Sequence, residues 1–414
     1  MGRALSCLAM AAGVLVLAAF RCPGPDPQAV AGADAGGNAA VTTTDGPGGA
    51  GGSGGAGGDG GGVVLPCDTP LDHDDDGDGF TELDGDCDDC DADIHPGAAE
   101  LATIPGEEPV DENCDEDPEP VACDAGNADV TKAAEAARMI DICEGVSNGN
   151  NWGLGDAHYV RANGAPHNNV GLRVGFADKF GNMLAPRVGD ALLVLSPGRA
   201  LDGSDTSPCQ ANSCENDPAE TTPPDGFPTY PQGCAPEGAG NIQDDVGLEV
   251  ELAPPPNAEG LMFHSAFLTH EYPQWVCTAF DDQFLALMFP KPAALPNANV
   301  IFDGSGVPPS ASFLPIEHCD GATKSSYAAS CGPPSTCPDA PEPYCAAGTG
   351  LLEGTGFEPD GTSDGGASTG WMRTVVPLGD GGEVTLRFTI YDGGDPLFDS
   401  TVLVDGFAWT GPTD

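Results

Sequence analysis

Residues 383–390 read EVTLRFTI, and their alternation decides the fold class. Val384, Leu386, Phe388 and Ile390 take every second place, with Glu383, Thr385, Arg387 and Thr389 between them. Successive side chains of a strand point to opposite faces, so a period of two marks a strand with one buried and one wetted face. The pattern recurs upstream, where Val246, Leu248, Val250 and Leu252 alternate with Gly247, Glu249 and Glu251. Residues 191–195, 261–268 and 284–289 are apolar on both faces, as in buried strands, and residues 401–409 supply a last one. Short strands separated by Gly, Pro and Asn turns predict a mainly β domain, an antiparallel sandwich or jelly roll. One helix is expected over residues 132–142, capped by Asp129 or Thr131, with Ala133, Ala136, Ala137 and Ile140 on one face. Residues 202–244 and 318–370 are long Cys- and Pro-rich excursions that need staples. Cys209, Cys214, Cys234, Cys319, Cys331, Cys337 and Cys345 can provide them, in pairings that spacing leaves open.

Upstream of the strands the chain changes character. Residues 72–93, DHDDDGDGFTELDGDCDDCDAD, hold 11 Asp and one Glu with no Lys or Arg. The surrounding residues 67–123 carry 22 acidic side chains and still no basic one. Like charges this dense repel by about 1 kcal/mol per close pair even in water. Few large apolar residues oppose that repulsion, so the segment is expected to fold only around a cation.

The loop chemistry agrees. A calcium loop of EF-hand type needs oxygens at alternating positions and Gly at the sixth. From Asp74 the sequence offers Asp74, Asp76 and Asp78, Gly79 at six, the Phe80 carbonyl at seven and Glu82 at nine. From Asp72 it offers Asp72, Asp74 and Asp76, with Gly77 at six. The twelfth position is Gly85 or Leu83, so the bidentate Glu of a true EF-hand is missing, and no helix pattern flanks the loop. A second series, Asp84, Asp86, Asp88 and Asp91, follows, and Asp111, Asn113, Asp115 and Asp117 form a third. Oxygen-only ligands suit Ca²⁺ over Zn²⁺ or Cu²⁺, and His73 and His95 are not at ligand spacing. Cys87-x-x-Cys90 sits among aspartates that raise a thiol pKa, which favours structural disulfide bonding over redox chemistry.

The totals narrow the setting. Of 414 residues, 60 are Gly and 40 Pro, so much of the length is linker and loop. A net charge of −52 excludes nucleic acid and anionic membrane as electrostatic partners and suits divalent cations. Sixteen cysteines point to an oxidising compartment. Residues 8–20 form an apolar run of signal-peptide length behind Arg3, which predicts export. Cleavage before Cys22 would leave a lipidated cysteine, although Ala19-Phe20-Arg21 is a poor lipobox. Ala29-Val30-Ala31 offers a competing site. Lipidation leaves an even 14 cysteines once Cys7 is lost and Cys22 used. The expected organisation is a signal peptide over 1–21, a flexible Gly/Pro-rich linker over 22–63, an acidic metal-binding module over 64–123 and a β-sandwich over 124–414.

Two resemblances add to this reading. The run DHDDDGDGF, DGDCDD, HPGAAE and VDENCDED over residues 72–117 resembles the MopE-type metal-binding repeat of bacterial exported proteins. It departs at Asp111-Glu112-Asn113-Cys114-Asp115 and in the extra Cys90. The resemblance implies a metal-stabilised module in which Cys87 and Cys114 pair, and it makes copper the alternative metal. The stretches GDALLVLSPGRA (189–200), VGLEVEL (246–252), FLTHEYPQWVCTAFDDQFLALM (267–288) and TLRFTIYDGGDPLFDSTVLVDGFAW (385–409) resemble the choice-of-anchor L domain. That likeness implies an extracellular β-sandwich without established catalysis.

Candidate chemistry in the strand region is sparse. His270-Glu271 lacks the second His of a zinc-protease motif, since Gln274 stands there, and no G-x-S-x-G occurs. A carboxylate pair such as Glu271 with Asp282 would suit a glycosidase or lectin. Asp392, Asp395 and Asp399, in a turn between two strands, form a possible second Ca²⁺ site. Trp275, Trp371 and Trp409 read as packing residues more than as a sugar platform. The sequence thus predicts an exported cell-surface protein, held to membrane only through a lipid anchor. It would carry structural Ca²⁺ and work by binding or adhesion, on a glycan or protein ligand. Metal sequestration is a further alternative.

Overall fold

The structure is a computed structural model that describes residues 70–103, 108–124, 128–146, 151–205, 214, 221–234, 240, 242–272, 275–313, 316–318, 349–358, 366–379 and 382–411. Cys22, the expected signal peptide and linker, and Cys209, Cys319, Cys331, Cys337 and Cys345 lie outside the described residues. Among the described residues no helix is long and apolar enough to cross a membrane.

Eleven strands follow in order: β1 (Gly153–Val160), β2 (Val174–Ala177), β3 (Leu192–Leu195), β4 (Ile242–Ala253), β5 (Gly260–Thr269), β6 (Gln283–Phe289), β7 (Glu317–His318), β8 (Ala367–Ser368), β9 (Met372–Pro377), β10 (Val384–Gly393) and β11 (Thr401–Thr410). They build two antiparallel sheets. One runs β1-β4-β10-β6; the other runs β2-β3-β11-β5-β8-β7, with β9 also paired to β5. The protein is therefore mainly β and sandwich-like, as the alternation at residues 383–390 predicts.

The core lies between the sheets. Val384, Leu386, Phe388 and Ile390 of β10 face inward together with Leu248 and Val250 of β4, and meet Leu261, Phe263, Val402 and Val404 from the other sheet. Phe388 packs edge-on against Phe263, with ring centroids 5.0 Å apart. The opposite parity of β10 carries Arg387, whose Nε donates to Glu249 Oε2 at 2.7 Å across the register pair Arg387↔Glu249. Strands that read as apolar on both faces have a second apolar layer outside them. Leu192, Val194, Ala266, Leu268 and Leu403 are covered by Phe180, Leu184 and Phe357. Leu285 and Leu287 of β6 are covered by Phe227 and Ile242.

Several expectations need correction. Among the described residues the α-helix is α1 (Ala133–Arg138), shorter than residues 132–142, and its N-cap is Lys132. Asp129 instead accepts hydrogen bonds from the Thr131 amide and hydroxyl. Asp141, at φ +69°, stands in the left-handed region and cannot continue a helix. Strand β4 begins at Ile242, inside what reads as an excursion. β1 and β2 carry too much Gly, or are too short, to show a clear period of two, whereas β9 alternates in burial but buries Thr374 and leaves Val375 half-exposed. The excursion over 202–244 is stapled by Cys234–Cys277, whose second cysteine lies beyond β5 and is absent from the expected staple set. Cys123–Cys143 ties the end of the acidic segment to the end of the helical turn.

The acidic segment is not a free spacer. Leu101 forms a parallel bridge with Trp409 of β11, and the Ala102 amide donates to the Trp409 carbonyl at 2.8 Å. Asn257 Nδ2 donates to the Ala99 carbonyl at 2.9 Å, and Ala99 joins the sandwich core. Trp409 itself is buried beside Phe407, and Trp275 and Trp371 pack against Phe280 and the outer apolar layer. All three tryptophans pack as the sequence suggests.

Candidate metal centre

The acidic segment turns on glycines that only a left-handed backbone can use. Gly77 (φ +90°), Gly79 (φ +103°) and Gly85 (φ +105°) allow successive carboxylates to fold back over one point. These aspartates accept hydrogen bonds from nearby backbone amides, Asp74 with both oxygens and the others with one. Asp74 accepts from Gly77 (2.6 Å) and Gly79 (3.2 Å). Asp76 Oδ1 accepts from the Asp78 amide, Asp78 Oδ1 from Phe80 and Asp86 Oδ1 from Asp88. Asp89 Oδ1 reaches across to the Asp75 amide at 3.1 Å.

The remaining oxygens point inward. Asp76 Oδ2, Asp78 Oδ2, Glu82 Oε2, Asp86 Oδ2 and Asp89 Oδ2 are buried with no hydrogen-bond partner among the described residues. Of these residues Asp76, Asp78, Asp86 and Asp89 belong, with Asp74, to two overlapping groups that share Asp76, and Glu82 belongs to neither. In Asp74/Asp76/Asp89, and again in Asp76/Asp78/Asp86, one oxygen from each residue lies within 4.8 Å of the others. Burial, with repulsion from Asp78, Asp89 and Asp74, raises the Asp76 pKa, and burial with repulsion from Asp78, Asp76 and Asp89 raises that of Asp86. Buried, unpaired carboxylate oxygens at this spacing are the donor set of a hard cation. The residues therefore fit Ca²⁺, and no Cys or His joins either group of oxygens. His95 stacks on Phe80, with ring centroids 4.8 Å apart, and places Nε2 3.9 Å from Asp78 Oδ2, beside the cluster.

Sequence alternation finds part of this set. Asp74, Asp76 and Asp78 of the first series fall in these groups, joined by Asp86 of the second series, and Glu82 keeps a buried oxygen beside them. Asp72, Asp84 and Asp88 are exposed and outside both groups; Asp84 instead accepts from the Thr81 hydroxyl at 2.8 Å. Asp89 was missed. It breaks the alternation, and only the hydrogen bond from Asp75, fourteen residues upstream, reveals where it points. Asp111, Asn113 and Asp115 form a separate loop whose oxygens accept from their own amides at Asp115, Glu116 and Asp117. Cys87–Cys114 pins that loop to the first, the pairing the repeat resemblance implies. Cys90 is also disulfide-bonded, but not to Cys87. Beside the third loop, burial followed by repulsion from Glu112, Asp111 and Asp115 raises the Glu100 carboxyl to about 7.

The strand region holds further buried carboxylates. Glu271 and Asp282 are adjacent but sealed from solvent, and Glu271 Oε2 accepts from the Asp282 amide at 2.8 Å. Burial, then repulsion from neighbouring carboxylates, pushes Glu271 and Asp392 well above the usual carboxylate range; burial, with repulsion from Asp281 on Asp282 and from Asp282 and Asp244 on Asp399, holds those two at about 8. Asp395, the middle member of the expected Asp392/Asp395/Asp399 trio, sits half-buried at the rim.

No family model, curated protein or solved structure matches the chain. The reading of its function therefore rests on the geometry above.

Proposed function

We propose that residues 72–93 bind Ca²⁺, and that the chain is an exported, surface-held binding protein whose ion-filled acidic module is docked on its β-sandwich. The observation that carries the metal reading is that Asp76, Asp78, Asp86 and Asp89, each with a buried, unpartnered carboxylate oxygen, fall in two groups that share Asp76. Asp86 and Asp89 bring extra carboxylates where a twelfth-position Glu is missing, which supports a calcium site without flanking EF-hand helices. The oxygen-only donor set favours Ca²⁺ over the copper alternative. Export is supported by the apolar run at residues 8–20 and by the disulfides; anchoring through Cys22 belongs to the same proposal. Both Glu271 and Asp282 are sealed inside the fold, which favours binding or adhesion over glycoside hydrolysis.

The test is chelation of the full chain. EDTA should lower the melting temperature and open residues 72–117 to proteolysis, and Ca²⁺ should reverse both. At 100 times Kd a folded-state ligand adds about 2.7 kcal/mol of stability. Asp76→Asn should abolish most of that response, because Asp76 serves both groups. A chelation-insensitive protein, or an Asp76→Asn variant with an undiminished response, refutes the proposal.

A further inference from the structure

A second carboxylate cluster closes one end of the sandwich, and the loop module has no part in it. Five strand ends from both sheets meet there. β4 opens with Asp244, in a left-handed conformation (φ +48°) at a register shift opposite the end of β10. β10 ends with Asp392, β11 follows Asp399, β6 follows Asp282, and β5 ends two residues before Glu271. Asp244, Asp392 and Asp399 are each at most 1% exposed, and Asp282 is fully buried.

Each carboxylate can be followed to its partners. Asp282 is saturated: Oδ1 accepts from the Gly393 amide at 2.9 Å, and Oδ2 from the Ser400 amide and hydroxyl at 3.2 and 2.7 Å. That arrangement ties the end of β10 to the start of β11 and fixes the turn carrying the two remaining aspartates. Asp244 Oδ1 pairs with Arg173 at 3.1 Å, and Asp399 Oδ2 accepts from the Cys214 amide at 3.2 Å. Three oxygens are left over. Both oxygens of Asp392, and Oδ1 of Asp399, have no hydrogen-bond donor from any other described residue, and the two carboxyls lie within hydrogen-bonding reach of each other. Asp392 is the hub, repelled by Asp282, Asp399, Asp244 and Glu271.

An uncompensated buried carboxylate costs several kcal/mol even after relaxation, and one guanidinium already committed to Asp244 cannot neutralise this group. We propose that this end of the sandwich holds one divalent cation of the Ca²⁺ class, bound by the left-over oxygens of Asp392 and Asp399. Both ligands are hard carboxylate oxygens, which suits Ca²⁺ in preference to a thiophilic or imidazole-seeking metal. Such an ion would tie the end of β10 to the start of β11 and so join the two sheets. The competing way to relieve the charge is protonation of the same carboxyls, and the experiment separates the two.

The full chain is stripped with EDTA, desalted and reloaded with Ca²⁺, and the bound metal is counted by mass spectrometry. Asp392→Asn/Asp399→Asn should bind one ion fewer per chain than the unsubstituted protein. Asp76→Asn should lower the count through the other module and leave this site loaded. A second measurement does not depend on the core variant folding. In the Asp76→Asn chain, Ca²⁺ at about ten times Kd should slow amide exchange over residues 390–402 about tenfold. An unchanged ion count in the double variant, or exchange at residues 390–402 indifferent to Ca²⁺ in Asp76→Asn, overturns the site and assigns the cluster to protons. Failure of Asp76→Asn to lower the count would sink the loop proposal and leave this one standing.

Discussion

Asp141→Asn should stabilise the protein in a pH-dependent way, by an amount the structure sets. Asp141 follows the last turn of α1 and is 8% exposed. Burial, then repulsion from Asp405 and Asp124, raises its pKa from 3.8 to about 7, and the nearby amides of Cys123 and Gly406 offset only part of the rise. A raised carboxyl pKa means that the folded chain holds its proton more tightly than the unfolded chain. The contribution to stability is therefore intact below pH 4 and is lost as pH rises through about 7. Three pH units at about 1.4 kcal/mol each put the loss at roughly 4 kcal/mol. Asn carries no charge at any pH, so the variant should match the parent near pH 4 and exceed it by up to about 4 kcal/mol at pH 8. Denaturant titrations of both proteins at pH 4 to 8, in fixed Ca²⁺, would measure the difference, in which all shared titrations cancel. A difference constant across that range, or a variant weaker at pH 8, would refute the electrostatic reading of the site.

Two further outcomes follow from packing. Phe388→Ala removes a fully buried ring between the sheets and should destabilise the sandwich by about 3–5 kcal/mol in denaturant titration. Leu101→Asp places a charge where the acidic segment bridges Trp409. It should expose residues 72–117 to limited proteolysis while the strand amides keep their exchange protection, and simultaneous loss of both would show that the module and sandwich unfold as one.

The local features were legible in the chain by itself. A period of two specifies a half-buried strand wherever it occurs, so β4 and β10 are readable from their own residues. The D-x-D-x-D-G spacing likewise specifies its loop locally, because Asx turns and positive-φ glycines involve neighbours two to five residues apart. Those two signals fix a mainly β class and an oxygen-lined loop. What tertiary structure decided is which distant groups meet. Asp89 joins Asp74 and Asp76 only because the chain doubles back, and no spacing rule encodes that. Asp244, Asp282, Asp392 and Asp399 are spread over more than 150 residues and share one buried end only because four strands from two sheets terminate there. Side-chain alternation is a property of one strand, whereas the meeting of carboxylates depends on register, crossover and sheet packing, which belong to the whole molecule.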